Sequence, residues 1–132
     1  MKIVLDTNVL ISSFLSTLGP SHSILDLALK QHEVFLSTYI LEEFENKLKD
    51  KFQVPQKLIN QTIHLLSKRA TVFTITENKN IPFPDKKDIP ILSLIEATKP
   101  AYFVTGDKLL LKLKKMGPTC FLSPREAIAI LG

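Results

Sequence analysis

The stretch that decides the fold is Lys2-Ile3-Val4-Leu5-Asp6-Thr7-Asn8-Val9-Leu10-Ile11, near the start of this 132-residue chain. It opens with an unbroken apolar run, which is typical of a strand covered on both faces. The run stops at the carboxylate of Asp6, and apolar residues then return at helical spacing. The stretch therefore predicts a strand, an acidic turn and a helix. Asp6 would lie at the edge of the sheet where open α/β folds bind ligands.

The same alternation continues along the rest of the chain. After the first strand, the predicted strands are residues 34–36, 72–75, 102–104 and 120–122. Helices are predicted over about residues 8–18, 38–49, 55–69 and 108–115. Three more are predicted, of which one ends at about residue 31, one begins at residue 88 and one begins at residue 124. Short connections between them predict a three-layer α/β/α domain of the Rossmann-like kind, with a parallel sheet of about five strands. We expect one domain over residues 1–132.

Composition narrows the class of protein. Seventeen Lys and Arg residues against thirteen Asp and Glu residues give a net charge of +4, which suits a polyanionic partner without requiring one. The single Cys120 cannot form a disulfide within the chain, and its apolar surroundings in the sequence predict a small buried side chain. No apolar stretch reaches transmembrane length, and no clear signal peptide is present. We therefore expect a cytoplasmic protein without membrane contact.

Acidic residues recur at the predicted edge of the sheet. Asp107 follows the strand at 102–104 as Asp6 follows the first strand, and Asp88 precedes a helix that leads into that strand. Each alone is most simply explained as a helix N-cap. Neighbouring strands at a topological switch point would bring Asp6 and Asp107 into one crevice. Acids gathered on one rim repel one another, and such an arrangement is usually kept because a cation binds among them.

The ligand chemistry indicates which cation. Carboxylate and water oxygens favour Mg²⁺ or Mn²⁺, whereas zinc would seek histidine or cysteine. The three histidines, His22, His32 and His64, show no ligand spacing. We expect them to be surface or helix-packing residues.

Four segments, in this order, resemble the PIN domain family. They are Leu5-Asp6-Thr7-Asn8-Val9-Leu10, Leu41-Glu42-Glu43-Phe44, Asp88 with Pro90-Ile91-Leu92, and Val104-Thr105-Gly106-Asp107-Lys108. The similarity extends over essentially the whole chain and is greatest to single-domain prokaryotic toxins of toxin–antitoxin pairs. The first and last segments are fairly specific together, and the middle two are weak alone.

The resemblance implies a metal-dependent ribonuclease that cleaves single-stranded RNA, with an antitoxin protein as partner and a homodimer as a family expectation. It places the acidic site at Asp6, Glu43, Asp88 and Asp107, of which Asp6, Asp88 and Asp107 would bind metal. Asn8 and Thr105 match the polar positions that orient those acids. Helical periodicity alone does not choose between Glu43 and Glu45, because they flank the apolar face on opposite sides.

The chain also departs from the family pattern. Lys86 and Lys87 stand where relatives often carry further acids, and they could contact phosphates or alter metal affinity. Lys108 and Lys112 could line an RNA backbone track, with a solvated helix face as the equal alternative. Asp85 is a substitute or auxiliary for Asp88 on this interpretation.

Two other classes of function fit parts of the pattern. A Mg²⁺-dependent phosphoryl-transfer domain would generally need a second aspartate two residues after Asp6, where this chain has Asn8. A catalytically silent PIN-fold module that binds RNA or protein is the other alternative. Acids at all four family positions argue against silence.

Overall fold

The computed structural model describes residues 1–83 and 85–132, over which strands and helices alternate. The elements are β1 (Lys2–Leu5), α1 (Thr7–Leu15), α2 (Pro20–Gln31), β2 (Glu33–Ser37), α3 (Thr38–Asp50), α4 (Gln56–Arg69), β3 (Thr71–Phe73), a 3₁₀ helix (Lys86–Asp88), α5 (Ile89–Thr98), β4 (Tyr102–Val104), α6 (Lys108–Leu111), β5 (Lys115–Met116), β6 (Thr119–Leu122) and α7 (Pro124–Leu131). Among the described residues, no helix combines the length and apolarity that a membrane span requires.

Over these residues the strands form a six-stranded sheet in the order β3-β2-β1-β4-β6-β5. The pairs among β1, β2, β3, β4 and β6 are parallel, and β5 is antiparallel to β6. The predicted α/β class is therefore confirmed, with one short antiparallel strand added at an edge. Because β1 pairs directly with β4, and Leu5 lies opposite Val104, the residues after these two strands meet at one edge.

The core lies on both faces of the central strands. Ile3, Val4 and Leu5 are all fully buried, as their continuous apolar run predicts for a strand covered on both sides. On the neighbouring strand Phe103 is also fully buried and packs edge-to-face on Phe121, with ring centroids 5.1 Å apart. Each such side chain contributes about 1.5–3 kcal/mol by leaving water. This packing fixes the strand ends that carry the acidic residues.

Several predicted boundaries are wrong for local reasons. The first helix ends at Leu15 and not near 18, because the Ser16 hydroxyl accepts a hydrogen bond from the Leu18 N–H (3.1 Å) and forms a turn. The third strand is Thr71–Phe73, earlier and shorter than the predicted 72–75. The predicted full burial of Cys120 is also wrong, because this residue is only half-buried.

The predicted helix over 108–115 is also wrong. Helix α6 ends at Leu111, and the chain then turns through Lys114, which has a left-handed backbone (φ 59°). It continues as β5 and returns into β6 through Gly117, another left-handed position (φ 56°) that glycine adopts without steric cost. Turn chemistry thus overrides the helical spacing of the leucines.

Candidate active site

Asp6 lies at the end of β1 and is 5% exposed. Its Oδ1 accepts a hydrogen bond from the Thr7 N–H (2.8 Å), and its Oδ2 accepts one from the Thr105 hydroxyl (2.6 Å). Burial raises the pKa of Asp6 from its ordinary value, the two hydrogen bonds oppose that rise, and the charges of Glu43 and Asp107 add to it. Asp6 is therefore a fixed, buried carboxyl group within the field of two other acids.

Thr105, directly after β4, links two acidic residues. Its hydroxyl donates to Asp6 and also accepts a hydrogen bond from the Asp107 N–H (3.0 Å). Thr105 is fully buried, and its own N–H donates to the Leu122 carbonyl of β6 (2.9 Å). One rigid threonine thus joins the ends of β1, β4 and β6.

Asp107 is the N-cap of α6. Its Oδ1 accepts hydrogen bonds from the backbone N–H groups of Leu109 (2.8 Å) and Leu110 (3.4 Å). The N-cap explanation is therefore correct for this residue. It does not remove Asp107 from the acidic group, because its charge raises the pKa values of Asp6 and Asp88.

Asp88 lies at the junction between the 3₁₀ helix and α5. The predicted side-chain cap is wrong: Asp88 makes no capping hydrogen bond, since its backbone is already helical (φ −88°, ψ −10°), whereas N-cap residues are typically extended. Among the described residues, its buried Oδ2 has no hydrogen-bond partner. Burial raises the pKa of Asp88 to about 7, and the charges of Asp107, Asp85, Asp6 and Glu43 contribute in that order.

Asp85 takes the capping role one turn earlier. Its side chain accepts a hydrogen bond from the Lys87 N–H (3.0 Å) and caps the 3₁₀ helix. Lys86 and Lys87 are exposed on this short helix, beside Asp88. The charge of Asp85 also contributes to the raised pKa of Asp88.

Two glutamates of α3 point toward different neighbours. Glu43 Oε2 lies 3.4 Å from the Tyr39 hydroxyl, and the charge of Glu43 raises the pKa values of Asp6 and Asp88. Glu45 Oε2 instead accepts a hydrogen bond from Gln56 Nε2 of α4 (2.8 Å). Glu43 is thus the member of the pair whose charge acts on Asp6 and Asp88, a distinction that periodicity could not make.

Two polar side chains beside Glu43 were not anticipated from the sequence. The Tyr39 hydroxyl lies 3.2 Å from the Lys87 carbonyl oxygen, and burial together with the Glu43 charge raises the pKa of Tyr39 to about 12. Lys47 Nζ donates a hydrogen bond to Asn8 Oδ1 (3.2 Å) and lies 4.0 Å from Glu43 Oε2. In the sequence, the i, i+4 spacing of Tyr39, Glu43 and Lys47 is the feature that indicates contacts among them.

A cleft of about 330 Å³ runs along α3 from this group. It is lined by Tyr39, Glu42, Glu43, Asn46, Lys47, Asp50 and Lys51. Lys108 and Lys112 are exposed at the two ends of α6, the helix that Asp107 caps. Lysines therefore line the cleft and also follow Asp107 in the sequence.

The donor chemistry fits a hard divalent cation. Asp6, Glu43, Asp88 and Asp107 offer only oxygen atoms, which Mg²⁺ and Mn²⁺ prefer. Their mutual repulsion and the unpartnered Oδ2 of Asp88 would both be relieved by a positive charge. As the side chains stand, no three His, Cys, Asp or Glu residues within the described part of the chain form a cluster that could hold an ion.

Comparison with known proteins relates this site to one family. A family model described as PIN domain matches residues 2–109. The structure of VapBC2 from Rickettsia felis, bound to a DNA fragment from its promoter, aligns with a TM-score of 0.65 at 16% identity, over 93% of this chain and 98% of that chain. VapBC-1 from nontypeable Haemophilus influenzae aligns with a TM-score of 0.64 at 16% identity, over 95% and 99%. Curated proteins give no significant match.

Proposed function

This chain belongs to the PIN domain family, and we propose that it is a ribonuclease that requires Mg²⁺ or Mn²⁺ and cleaves single-stranded RNA. The observation that carries the proposal is the electrostatic coupling of acids from separate elements. The charges of Asp107, Asp6 and Glu43 raise the pKa of Asp88, whose buried Oδ2 has no hydrogen-bond partner within residues 1–83 and 85–132. A divalent cation bound in such a site would offset the repulsion among the carboxylates.

Asp6, Asp88 and Asp107 would hold the ion. A bound divalent cation supplies Lewis-acid stabilisation of negative charge on phosphate and acidifies water. Thr105 holds Asp6 in one orientation and ties the Asp107 backbone to it. Glu43, on α3, lies 3.4 Å from the Tyr39 hydroxyl and would position the attacking water. In this proposal the carboxylates perform both the binding of the ion and the positioning of water.

Lysines around the acids support an RNA substrate. Lys86 and Lys87 are exposed immediately before Asp88, and Lys108 is exposed immediately after Asp107. Together with Lys112 they would contact phosphates on either side of the cleaved bond, which is how basic side chains position nucleic acids. The preference for unpaired RNA belongs to the same proposal and rests on the family resemblance.

The comparisons support a protein partner. Both similar structures are VapBC proteins, and we propose by analogy that this chain is the toxin of a toxin–antitoxin pair, with an antitoxin as its protein partner. A homodimer and a cytoplasmic location belong to the same proposal.

Cleavage of a labelled, unstructured oligonucleotide tests the activity. The purified protein should cut it with Mg²⁺ or Mn²⁺ and stop in EDTA. Activity that survives thorough chelation would remove the metal from the mechanism. RNA binding without cleavage under every metal condition would instead indicate the catalytically silent module.

A further inference from the structure

Lys47 places a positive charge beside Glu43, one of the four acids of the candidate site. Its Nζ donates to Asn8 Oδ1 (3.2 Å) on α1 and lies 4.0 Å from Glu43 Oε2 on its own helix. Asn8 and Lys47 are 39 positions apart in sequence, so this is a contact between two elements and not only a pair along one helix. The ammonium group therefore occupies the space between α1 and the glutamate.

A second i, i+4 pair in the same protein allows the exposure of Lys47 and Glu43 to be compared. Lys30 and Asp26 on α2 also stand at i, i+4, at 3.1 Å, and their side chains are 62% and 53% exposed. The Lys47 and Glu43 side chains are only 35% and 23% exposed. Exposed i, i+4 pairs contribute a few tenths of a kcal/mol. The Lys47–Glu43 pair is less exposed than the Lys30–Asp26 pair, and it sets a positive charge beside one of the four candidate acids.

Lys47 also determines how Asn8 presents its amide. A lysine ammonium group can only donate hydrogen bonds, so the asparagine must direct its Oδ1 toward Lys47. The Nδ2 donors of Asn8 then face away from the ammonium group. Lys47 thus fixes two neighbours at once, the carboxylate of Glu43 and the amide of Asn8.

We propose that Lys47 supplies the positive charge on the Glu43 side of the site, so that the site takes a single divalent cation among Asp6, Asp88 and Asp107. This inference rests on the proposed metal-dependent function. A divalent ion beside Glu43 would lie next to the Lys47 ammonium group, and two like charges at that separation repel. Lys47 acts as a positioning residue that replaces a second ion.

The test counts bound ions in the absence of RNA. Equilibrium dialysis against Mn²⁺, followed by measurement of total manganese, gives the number of ions per chain. Wild type should bind one, and Lys47→Met should bind two at the same free Mn²⁺ concentration, a doubling. Lys47→Arg keeps the charge and should bind one. Lys51→Met is the matched control, because Lys51, the C-cap of α3, lines the same cleft one turn later and should leave the count at one.

The outcomes separate this inference from the proposed function. An unchanged count in Lys47→Met, or two ions already bound to wild type, would overturn the role of Lys47 while leaving a metal-dependent nuclease intact. No manganese bound to wild type would overturn both. Circular dichroism verifies that the variants are folded. Should Lys47→Met not fold, Lys47→Gln replaces it, and the wild-type count remains decisive by itself.

Discussion

The hydroxyl of Thr105 donates a 2.6 Å hydrogen bond to Oδ2 of Asp6, between residues that are 99 positions apart in sequence. Both residues are buried, and the bond crosses from the end of β4 to the end of β1. The same hydroxyl accepts from the Asp107 N–H. Thr105 therefore sets the orientation of one acid and the backbone position of another, and it lowers the pKa of Asp6 against the effect of burial.

Replacing this hydroxyl should weaken both the fold and the metal site. Thr105→Val keeps the shape but leaves Asp6 Oδ2 buried without its donor, which costs about 1–3 kcal/mol. It also raises the pKa of Asp6 further, because the hydrogen bond that lowers it is lost. Thr105→Ser keeps the hydroxyl and is the control. Denaturant unfolding and Mn²⁺ titration should show the valine variant less stable and weaker in metal binding, and equal behaviour of the two variants would contradict this role.

Asp107 combines a structural and an electrostatic role, and two substitutions separate them. Asp107→Asn keeps the Oδ1 that caps α6 and removes the charge, so the metal-free melting temperature should rise or stay unchanged while stabilisation by Mn²⁺ falls. Asp107→Ala removes the cap as well and should cost about 0.5–2 kcal/mol. Differential scanning fluorimetry with and without Mn²⁺ measures both effects. Full stabilisation of Asp107→Asn by Mn²⁺ would identify Asp107 as a cap alone.

The two acids at strand ends could be predicted from the sequence because each follows a short apolar run. The central position of β1 and its pairing with β4 then bring Asp6 and Asp107 to one edge. The short β5 could not be predicted, since two residues are too few to give a periodic pattern. The sequence also placed the cap of α5 at Asp88, whereas the helical backbone begins one turn earlier, after Asp85.

The side chains around Glu43 show where periodicity stops being informative. Tyr39 and Lys47 contact Lys87 and Asn8, which are 48 and 39 positions away, and such contacts depend on how α3 packs against its neighbours. Helical spacing gives the buried face of α3 but not the element that each flank meets. The PIN resemblance favours Glu43 on motif register, and in the structure the charge of Glu43 raises the pKa values of Asp6 and Asp88.

Asp88 should make stability depend on pH. Its pKa is raised from 3.8 to about 7, so between about pH 4 and 7 the folded protein binds more protons there than the unfolded chain does. The contribution of Asp88 to the free energy of unfolding therefore falls as the pH rises through that window. In EDTA, wild type should lose more stability between about pH 5 and 8 than Asp88→Asn does. Melting temperatures at the two pH values measure the difference.

Two further observations check the assignment to Asp88. Asp50→Asn, at the exposed end of α3, is the control and should keep the wild-type pH dependence. Because a cation requires the ionised carboxylate, Mn²⁺ should stabilise wild type more at about pH 8 than at about pH 6. If Asp88→Asn retains the full pH dependence of the wild type, the raised pKa belongs to another group.

The last prediction separates Glu43 from Glu45 by single-turnover cleavage. Glu43→Gln keeps the shape and hydrogen-bonding capacity beside Tyr39 but removes the charge that would position water. Turnover should fall roughly 10²-fold or more, with little change in RNA affinity. Glu45→Gln is the matched control, since its amide oxygen can still accept from Gln56, and it should remain near wild type. The assay uses a labelled oligonucleotide at saturating Mn²⁺, beside melting temperatures for both variants. Equal activities would remove Glu43 from the site, and a selective loss in Glu45→Gln would show that the other flank of α3 faces the substrate.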